Sequence, residues 1–407
     1  METRVKRLAV VSGTRAEYGV LRPLLRLARE SRVLDLRIVA AGMHLLPEHG
    51  YTLAEVEADG YAPLYLVHMG QPGVFIEPER LATGIGEFAR VFADIRPNLV
   101  LVEGDRVEAL AAALAAGYMG IPLAHDGGGV VTGTVDNAAR HAISQFADLH
   151  FVELDEARGR LIAHGRDPEA IHVVGALGID AITQMEWRSR ESVLADLGLP
   201  LDSRYLLVTF HPESEHPEMA GEWMGNLLRA CYATGLSVVV TYPNSDPGSA
   251  AIIAEIERAQ LAGGIRAFQS LGSDRYLHAM KYADAVVGNS SSGLIEAPSL
   301  QVPVVNVGHR QADRPAALNV VDCTYSHGDI SHALDIVLHD EHFRSRRLPA
   351  TFSPYGDGHA AERIMVVLEG RLVEINSLPS VPATEGKKDR GWIYDHAKRP
   401  GYRSSAV

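Results

Sequence analysis

Between Gly104 and His141 the sequence gathers Asp105, Arg106, Glu108, His125, Asp126, Asp136, Arg140 and His141. Carboxylates, imidazoles and guanidinium groups at this density can move protons or hold an anion. Apolar strand-like runs and alanine-rich helix separate them, so a parallel sheet would bring them to one edge. In open α/β sheets that carboxyl edge is where ligands bind. Neither this set nor His44, His216, His278 and His309 has metal-ligand spacing, so no structural or catalytic metal is expected.

Other loops offer anion contacts. Gly13-Thr14-Arg15-Ala16-Glu17 follows a strand and precedes a helix, so its N–H groups and the Arg15 guanidinium can hold a phosphate. A tight turn with a surface arginine fits the same residues as well, and the dinucleotide GxGxxG is absent. Gly288-Asn289-Ser290-Ser291-Ser292-Gly293 is the stronger signal. Its glycines let the backbone approach a ligand, while the hydroxyls of Ser290, Ser291 and Ser292 and the helix N–H groups can satisfy phosphate oxygens. A plain helix cap asks for one serine, not three. Glu296, a turn further on, is placed to accept both hydroxyls of a ribose. His211 ends the apolar run 206–210, where it can steady a diphosphate or assist its departure, or be an ordinary buried histidine. Asn244, in Tyr242-Pro243-Asn244-Ser245-Asp246, holds the same place after the next strand, where ligand contact competes with turn chemistry. Arg310 and Arg314 add charge beside the serine loop unless they are solvated, and Tyr355-Gly356-Asp357-Gly358 precedes the last long helix.

The elements that must position these groups follow from periodicity. Residues 8–12, 36–41, 98–103, 121–124, 149–153 and 171–174 read as short strands, alternating with helical patterns over 21–29, 52–58, 79–92, 108–118 and 137–146. Thr52 with Glu55 forms a capping box. The alternation restarts with strands 205–210, 237–241, 285–288 and 304–307 and helices 218–231, 250–262, 274–282 and 293–300. At 407 residues the chain exceeds one ordinary domain, for which about 150 residues is a usual size. The expected fold class is α/β, with two doubly wound Rossmann-like domains facing a cleft. One covers 1–180 and the other 188–375, the last helix being free to pack back on the first domain. Residues 376–407 read as a surface or partly disordered tail.

Composition narrows the function. With 46% hydrophobic and 22% charged residues and no apolar run near the roughly 20 residues of a membrane span, the chain reads as a soluble enzyme with no membrane partner. A net charge of −13 argues against a general nucleic-acid binder, so an anionic ligand must meet a local basic pocket. Met1-Glu2-Thr3-Arg4 has no secretory pattern, and Cys231 and Cys323 read as reduced thiols of a cytoplasmic protein.

The order and spacing of several motifs resemble one family. They are residues 12–19 (Ser-Gly-Thr-Arg-Ala-Glu-Tyr-Gly), 44–51 (His-Leu-Leu-Pro-Glu-His-Gly-Tyr), Gly104-Asp105-Arg106, residues 132–136 with Arg140-His141, His211-Pro212, Pro243-Asn244, Gly288 to Gly293 with Glu296, Arg310-Gln311, and residues 354–358. Over about Val5 to Glu374 the chain resembles the hydrolysing UDP-N-acetylglucosamine 2-epimerases, sugar-nucleotide 2-epimerases of glycosyltransferase-B fold. The resemblance implies sugar and catalytic carboxylates in the N-terminal domain and UDP in the C-terminal one. Arg15, His211, Ser290 to Ser292 and Arg314 would lie near the diphosphate and Glu296 on ribose, with His44, Asn244 and Gly293 completing the UDP-sugar set. It also implies a homodimer or homotetramer, and no cofactor. The implied chemistry is anti elimination of UDP to a 2-acetamidoglycal, followed by addition of water, giving N-acetylmannosamine, or of UDP, giving UDP-N-acetylmannosamine.

In that family the acid/base roles fall to carboxylates matching Asp105 and Asp136, and to a glutamate in a His-Ile-Glu-Gly-Gly-Glu motif. This chain reads His125-Asp126-Gly127-Gly128-Gly129-Val130, with Gly127 at the glutamate's place. Asp126 can replace it if the glycines turn the loop round; Asp105 and Asp136 can suffice with altered hydration; or catalysis is lost and a sugar-nucleotide binder remains. The first two together are favoured, because Asp105, Asp136, His211 and the diphosphate set are intact. The altered loop points to amino-sugar units of specialised metabolism, such as antibiotic biosynthesis. A glycosyltransferase of the same fold is the alternative.

Overall fold

The computed structural model describes residues 5–46, 51–69, 77–131, 136–213, 215–243, 246–312, 314–349, 352–374 and 393–394. Lys6–Ser12 (β1), Leu34–Ala41 (β2), Leu64–Val67 (β3), Leu99–Glu103 (β4), Leu123–Asp126 (β5), Leu149–Val152 (β6) and Ile171–Val173 (β7) form a parallel sheet in the order β3-β2-β1-β4-β5-β6-β7. Tyr205–Thr209 (β8), Ser237–Thr241 (β9), Arg266–Phe268 (β10), Ala285–Gly288 (β11), Val304–Val307 (β12) and Val320–Cys323 (β13) form a second, in the order β10-β9-β8-β11-β12-β13. Ile393–Tyr394 (β14) pairs antiparallel with β3. The strand order reverses between β1 and β4 and again between β8 and β11. At such a reversal the loops leaving neighbouring strands diverge and open a crevice above the sheet edge.

The chain divides into two compact units, one made of residues up to Gly129, Ala138–Val174 and the chain from Ala361, the other of Val130–Asn137 and Gly175–Ala360. Both are Rossmann-like. Their strands read as continuous apolar runs because helices cover both faces of a parallel sheet. In the first unit Phe88, Phe92, Val100 and Val102 pack with alanines of the helix Val107–Tyr118, whose small side chains admit the neighbouring helix Glu77–Ile95. In the second, Leu227, Val238, Val240, Val287, Val305 and Leu334 form the core. There Trp223 stacks on Tyr325, 3.7 Å between ring centroids and 10° from parallel. The Tyr325 hydroxyl accepts the His309 N–H at 3.0 Å.

Three local expectations are corrected. The strand expected over 121–124 runs instead over Leu123–Asp126, because the ladder to β4 and β6 continues through His125 and Asp126. The capping box is Thr14 with Glu17, at the start of helix Arg15–Glu30. Thr52 makes no cap bond, because its hydroxyl is turned inward to His44 at 2.8 Å. The helix expected over 293–300 breaks into Ser292–Ile295 and a 3-10 turn Ala297–Leu300 around Pro298, which lacks an N–H. Among the described residues no helix is long and apolar enough to cross a membrane.

Candidate active site

Gly104 turns the chain out of β4, and both of its backbone groups are tied. Its N–H donates to the Asp126 carbonyl (3.0 Å), and its carbonyl accepts from His125 Nε2 (2.8 Å). Burial pushes His125 down to about 3, so the ring is neutral. With Nε2–H donating, Nδ1 must accept from the Ser144 hydroxyl at 3.0 Å. Next along the chain, the Asp105 carboxylate pairs with Arg140 Nη2, while Arg140 Nη1 donates to the Gly127 carbonyl at 2.6 Å. One nearly buried guanidinium therefore clamps the loop after β4 to the loop after β5. Asp136 opens the helix Asp136–Phe146 one turn before Arg140, on the same side of that helix.

Asp126 is buried at the end of β5, directly opposite Glu103 in the parallel register. Paired positions on neighbouring strands point to one face, so the two carboxyls share it. Glu103 is raised to about 8, chiefly by burial and then by the charges of Asp126 and Asp105. The expectation that the glycines swing Asp126 round is corrected: it belongs to the strand, before the turn begins. Glu103 is the carboxyl that sequence reasoning passed over. Its signal was a lone acid closing an apolar strand at the expected ligand edge.

Arg15 and His44 have protein partners in this structure. The Gly13 and Thr14 N–H groups donate to Glu17 Oε2 at 2.6 and 3.3 Å, so a carboxyl of the chain itself, held well above its usual range by burial and then by Glu103 and Glu108, occupies the helix start where an anion was expected. Arg15 pairs with Glu55 at 2.5 Å. His44 is fully buried, with Nε2 on the Ser12 hydroxyl (2.9 Å) and Nδ1 on Thr52. Burial lowers it to about 4, so the ring is neutral, and both of its nitrogens meet partners within the protein. Glu108 is also structural, fully buried against Arg80 at 2.6 Å.

In the second unit Gly288 has φ 138°, and a Cβ there would lie 2.0 Å from the Thr209 carbonyl oxygen, so only glycine lets β11 end so close to β8. Asn289, fully buried, brackets His211: its Oδ1 accepts the His211 N–H (2.7 Å) and its Nδ2 donates to the His211 carbonyl (2.9 Å). Burial, aided by Arg310, pushes His211 down to about 3, so it can offer a neutral hydrogen bond but no positive charge. Ser292 donates to Ser290 at 3.0 Å and meets the Tyr276 hydroxyl at 2.8 Å, which in turn meets Thr209 at 3.2 Å. This hydroxyl chain holds Ser290 and Ser292 in place, while Ser291 and Gly293 lie between and beside them in the turn. Gln311 Nε2 (2.9 Å) and Arg310 Nη1 (3.3 Å) both donate to the Asn289 carbonyl. Arg314 follows in the same loop, half-buried. Glu296 Oε1 lies against Gly178, 3.0 Å from where a Cβ there would stand. Asn244 lies outside the described residues. Among the described residues no group of three or more His, Cys, Asp or Glu side chains is arranged to hold a metal ion.

A sequence model described as UDP-N-acetylglucosamine 2-epimerase matches residues 26–369. The chain belongs to the UDP-N-acetylglucosamine 2-epimerase family. Its relatives include a UDP-N,N'-diacetylbacillosamine 2-epimerase (hydrolyzing) of Legionella pneumophila, 33% identical over 90% of this chain and 96% of that one. Another is a UDP-N-acetylglucosamine 2-epimerase of Neisseria meningitidis, 32% identical over 81% and 87%. A UDP-GlcNAc 2-epimerase from Neisseria meningitidis solved with UDP-GlcNAc superposes with TM-score 0.74 at 20% identity, covering 89% of this chain and 99% of that one, which shows the shared glycosyltransferase-B type fold. The protein is thus a sugar-nucleotide 2-epimerase. In this epimerase the glycine run is shaped by packing: a Cβ on Gly129 would sit 2.4 Å from the Ala157 carbonyl oxygen. At Gly127 the neighbours are looser, Arg140 Nη1 at 3.5 Å and Gly104 N at 3.8 Å, but φ is 77°, which L side chains rarely adopt.

Proposed function

We propose that the protein converts a UDP-2-acetamido sugar of the UDP-N-acetylglucosamine type into its C2 epimer by anti elimination of UDP and readdition across the resulting glycal, water being the nucleophile that releases a free sugar. Relatives named as hydrolysing support water in that role. The observation that carries the reading is the carboxyl edge of the first sheet, where Asp105, Asp126 and Glu103 lie around one tied turn in a chain of this family. Elimination needs a base for the C2 proton and stabilisation of the departing diphosphate. Asp105, and Asp136 one turn from Arg140, are the assigned bases. The serine loop with His211, Arg310 and Arg314 offers hydrogen bonds and positive charge to the diphosphate, and Glu296 accepts from the ribose.

The test is incubation with UDP-N-acetylglucosamine in deuterated water, followed by NMR. Deuterium at C2 and release of UDP are expected. A C2 proton that stays unexchanged while UDP still binds would leave a silent sugar-nucleotide binder instead. Product that appears only when an acceptor is added would point to a glycosyltransferase.

A further inference from the structure

Inversion at C2 by elimination and readdition asks for two proton carriers in opposite states, one to take the C2 proton and one to return a proton to the other face. Pairs of carboxyls whose surroundings push them apart supply such roles. Asp105 is held against a guanidinium. Glu103, two positions earlier, ends β4 opposite Asp126; the carboxyls of Asp126, Asp105 and Glu153 and, from the helix Arg15–Glu30, Glu17 act on it, and the Arg140 guanidinium opposes them. The turn between Glu103 and Asp105 is fixed by the Gly104 bonds to Asp126 and His125, so the two side chains keep a set relation. On the loop after β5, Gly127 presents no side chain, and the position its Cβ would take borders Gly104 and Arg140.

We propose that Glu103 is a further catalytic residue, the acid that protonates C2 of the glycal. This rests on the 2-epimerase reading above. In the first step a carboxylate takes the C2 proton, the C1–O bond breaks with its electron pair leaving on the diphosphate, and a C1=C2 double bond forms. In the second, the electron pair of that double bond takes the Glu103 proton at C2 while a water oxygen bonds to C1 and gives its surplus proton to the departed diphosphate. Glu103 is left ionised and the first carboxyl protonated; passage of one proton between them restores the starting state. Burial among like charges keeps Glu103 protonated in neutral solution, as the acid role requires.

The experiment compares the full-length wild type with Glu103→Gln and Glu103→Asp on UDP-N-acetylglucosamine, following UDP, glycal and free sugar separately. Glu103→Gln is expected to release UDP and glycal while the epimerised sugar forms about 10²–10⁴-fold more slowly, the usual worth of a positioned acid. The loss should fall on kcat with KM little changed. The wild-type rate should decline as pH rises through about 8, and this limb should vanish in Glu103→Gln. Glu103→Asp should recover at least about tenfold of the loss, one factor of ten being 1.4 kcal/mol. Because the half-buried carboxyl is raised, a neutral glutamine should leave the melting temperature at pH 8 no lower than wild type, which separates chemistry from misfolding. Sugar formation by Glu103→Gln at the wild-type rate, or an alkaline limb that survives it, overturns the assignment. A wild type that neither exchanges C2 hydrogen nor releases UDP removes the reaction itself, a result distinct from either.

Discussion

His44 and Asp105 both stand in motifs that resemble the family, yet their surroundings give them different work. His44 is enclosed by the Ser12 and Thr52 hydroxyls. Replacing it with alanine takes the imidazole from both hydroxyls and leaves Ser12 only the Thr14 carbonyl at 3.4 Å, at a cost of about 1–3 kcal/mol. Urea denaturation of His44→Ala should show that loss, while kcat per folded molecule stays near wild type; unchanged stability with a raised KM would restore the ligand role. Asp105 is partly exposed and positioned by Arg140. Its asparagine variant should keep UDP affinity and lose C2 exchange by at least about 10²-fold. The place of Asp105 after a strand at the sheet edge was legible in the sequence. What Glu103 and His44 touch was not, since strand register and partners far along the chain decide it.

At the scale of elements, ends matter more than middles. The serine loop depends on how closely β11 terminates beside β8. Gly288→Ala drives a methyl onto the Thr209 carbonyl and should cost more than about 2 kcal/mol, together with loss of UDP binding measured by calorimetry. Gly86, exposed inside the helix Glu77–Ile95 with nothing within 4 Å of its added Cβ, is the contrast. Gly86→Ala should raise stability by about 0.5–1 kcal/mol. Long apolar runs made most strands and helices readable. The extension of β5 through His125-Asp126 was hidden because polar residues within a strand look like its end, and only pairing with β4 and β6 keeps them extended. The true capping box lost out in the sequence because Thr14-Arg15-Ala16-Glu17 also reads as a phosphate loop.

At the scale of the whole molecule, among the described residues, four histidines are held neutral by burial: His44 and His150 at about 4, and His125 and His211 at about 3. In the unfolded chain each titrates near 6.5, so the folded values are depressed. Their contribution is fully present above pH 6.5 and is lost as pH falls, because only the unfolded chain takes up the protons. One unit of pKa difference is worth about 1.4 kcal/mol, so by pH 4 each histidine withdraws on the order of 3 kcal/mol. Glu103 acts in the opposite sense, its cost growing as pH rises from 4.5 to about 8. The urea midpoint should therefore peak near neutrality and fall steeply below pH 6; a flat profile from pH 7 to 5 would refute buried neutral imidazoles. The two-sheet plan was readable from the restart of the βα alternation. The pH response was not, since it depends on which histidines the packing seals.

The stack of Trp223 on Tyr325 gives the molecule an internal optical reporter. Tyr325 holds the His309 N–H, and the next two residues, Arg310 and Gln311, grip the serine loop at the Asn289 carbonyl. An anion that draws Arg310 off the Asn289 carbonyl shifts the segment tied to that ring, so Trp223 fluorescence should follow UDP titration with no label attached, and Trp223→Phe should silence the signal while binding persists.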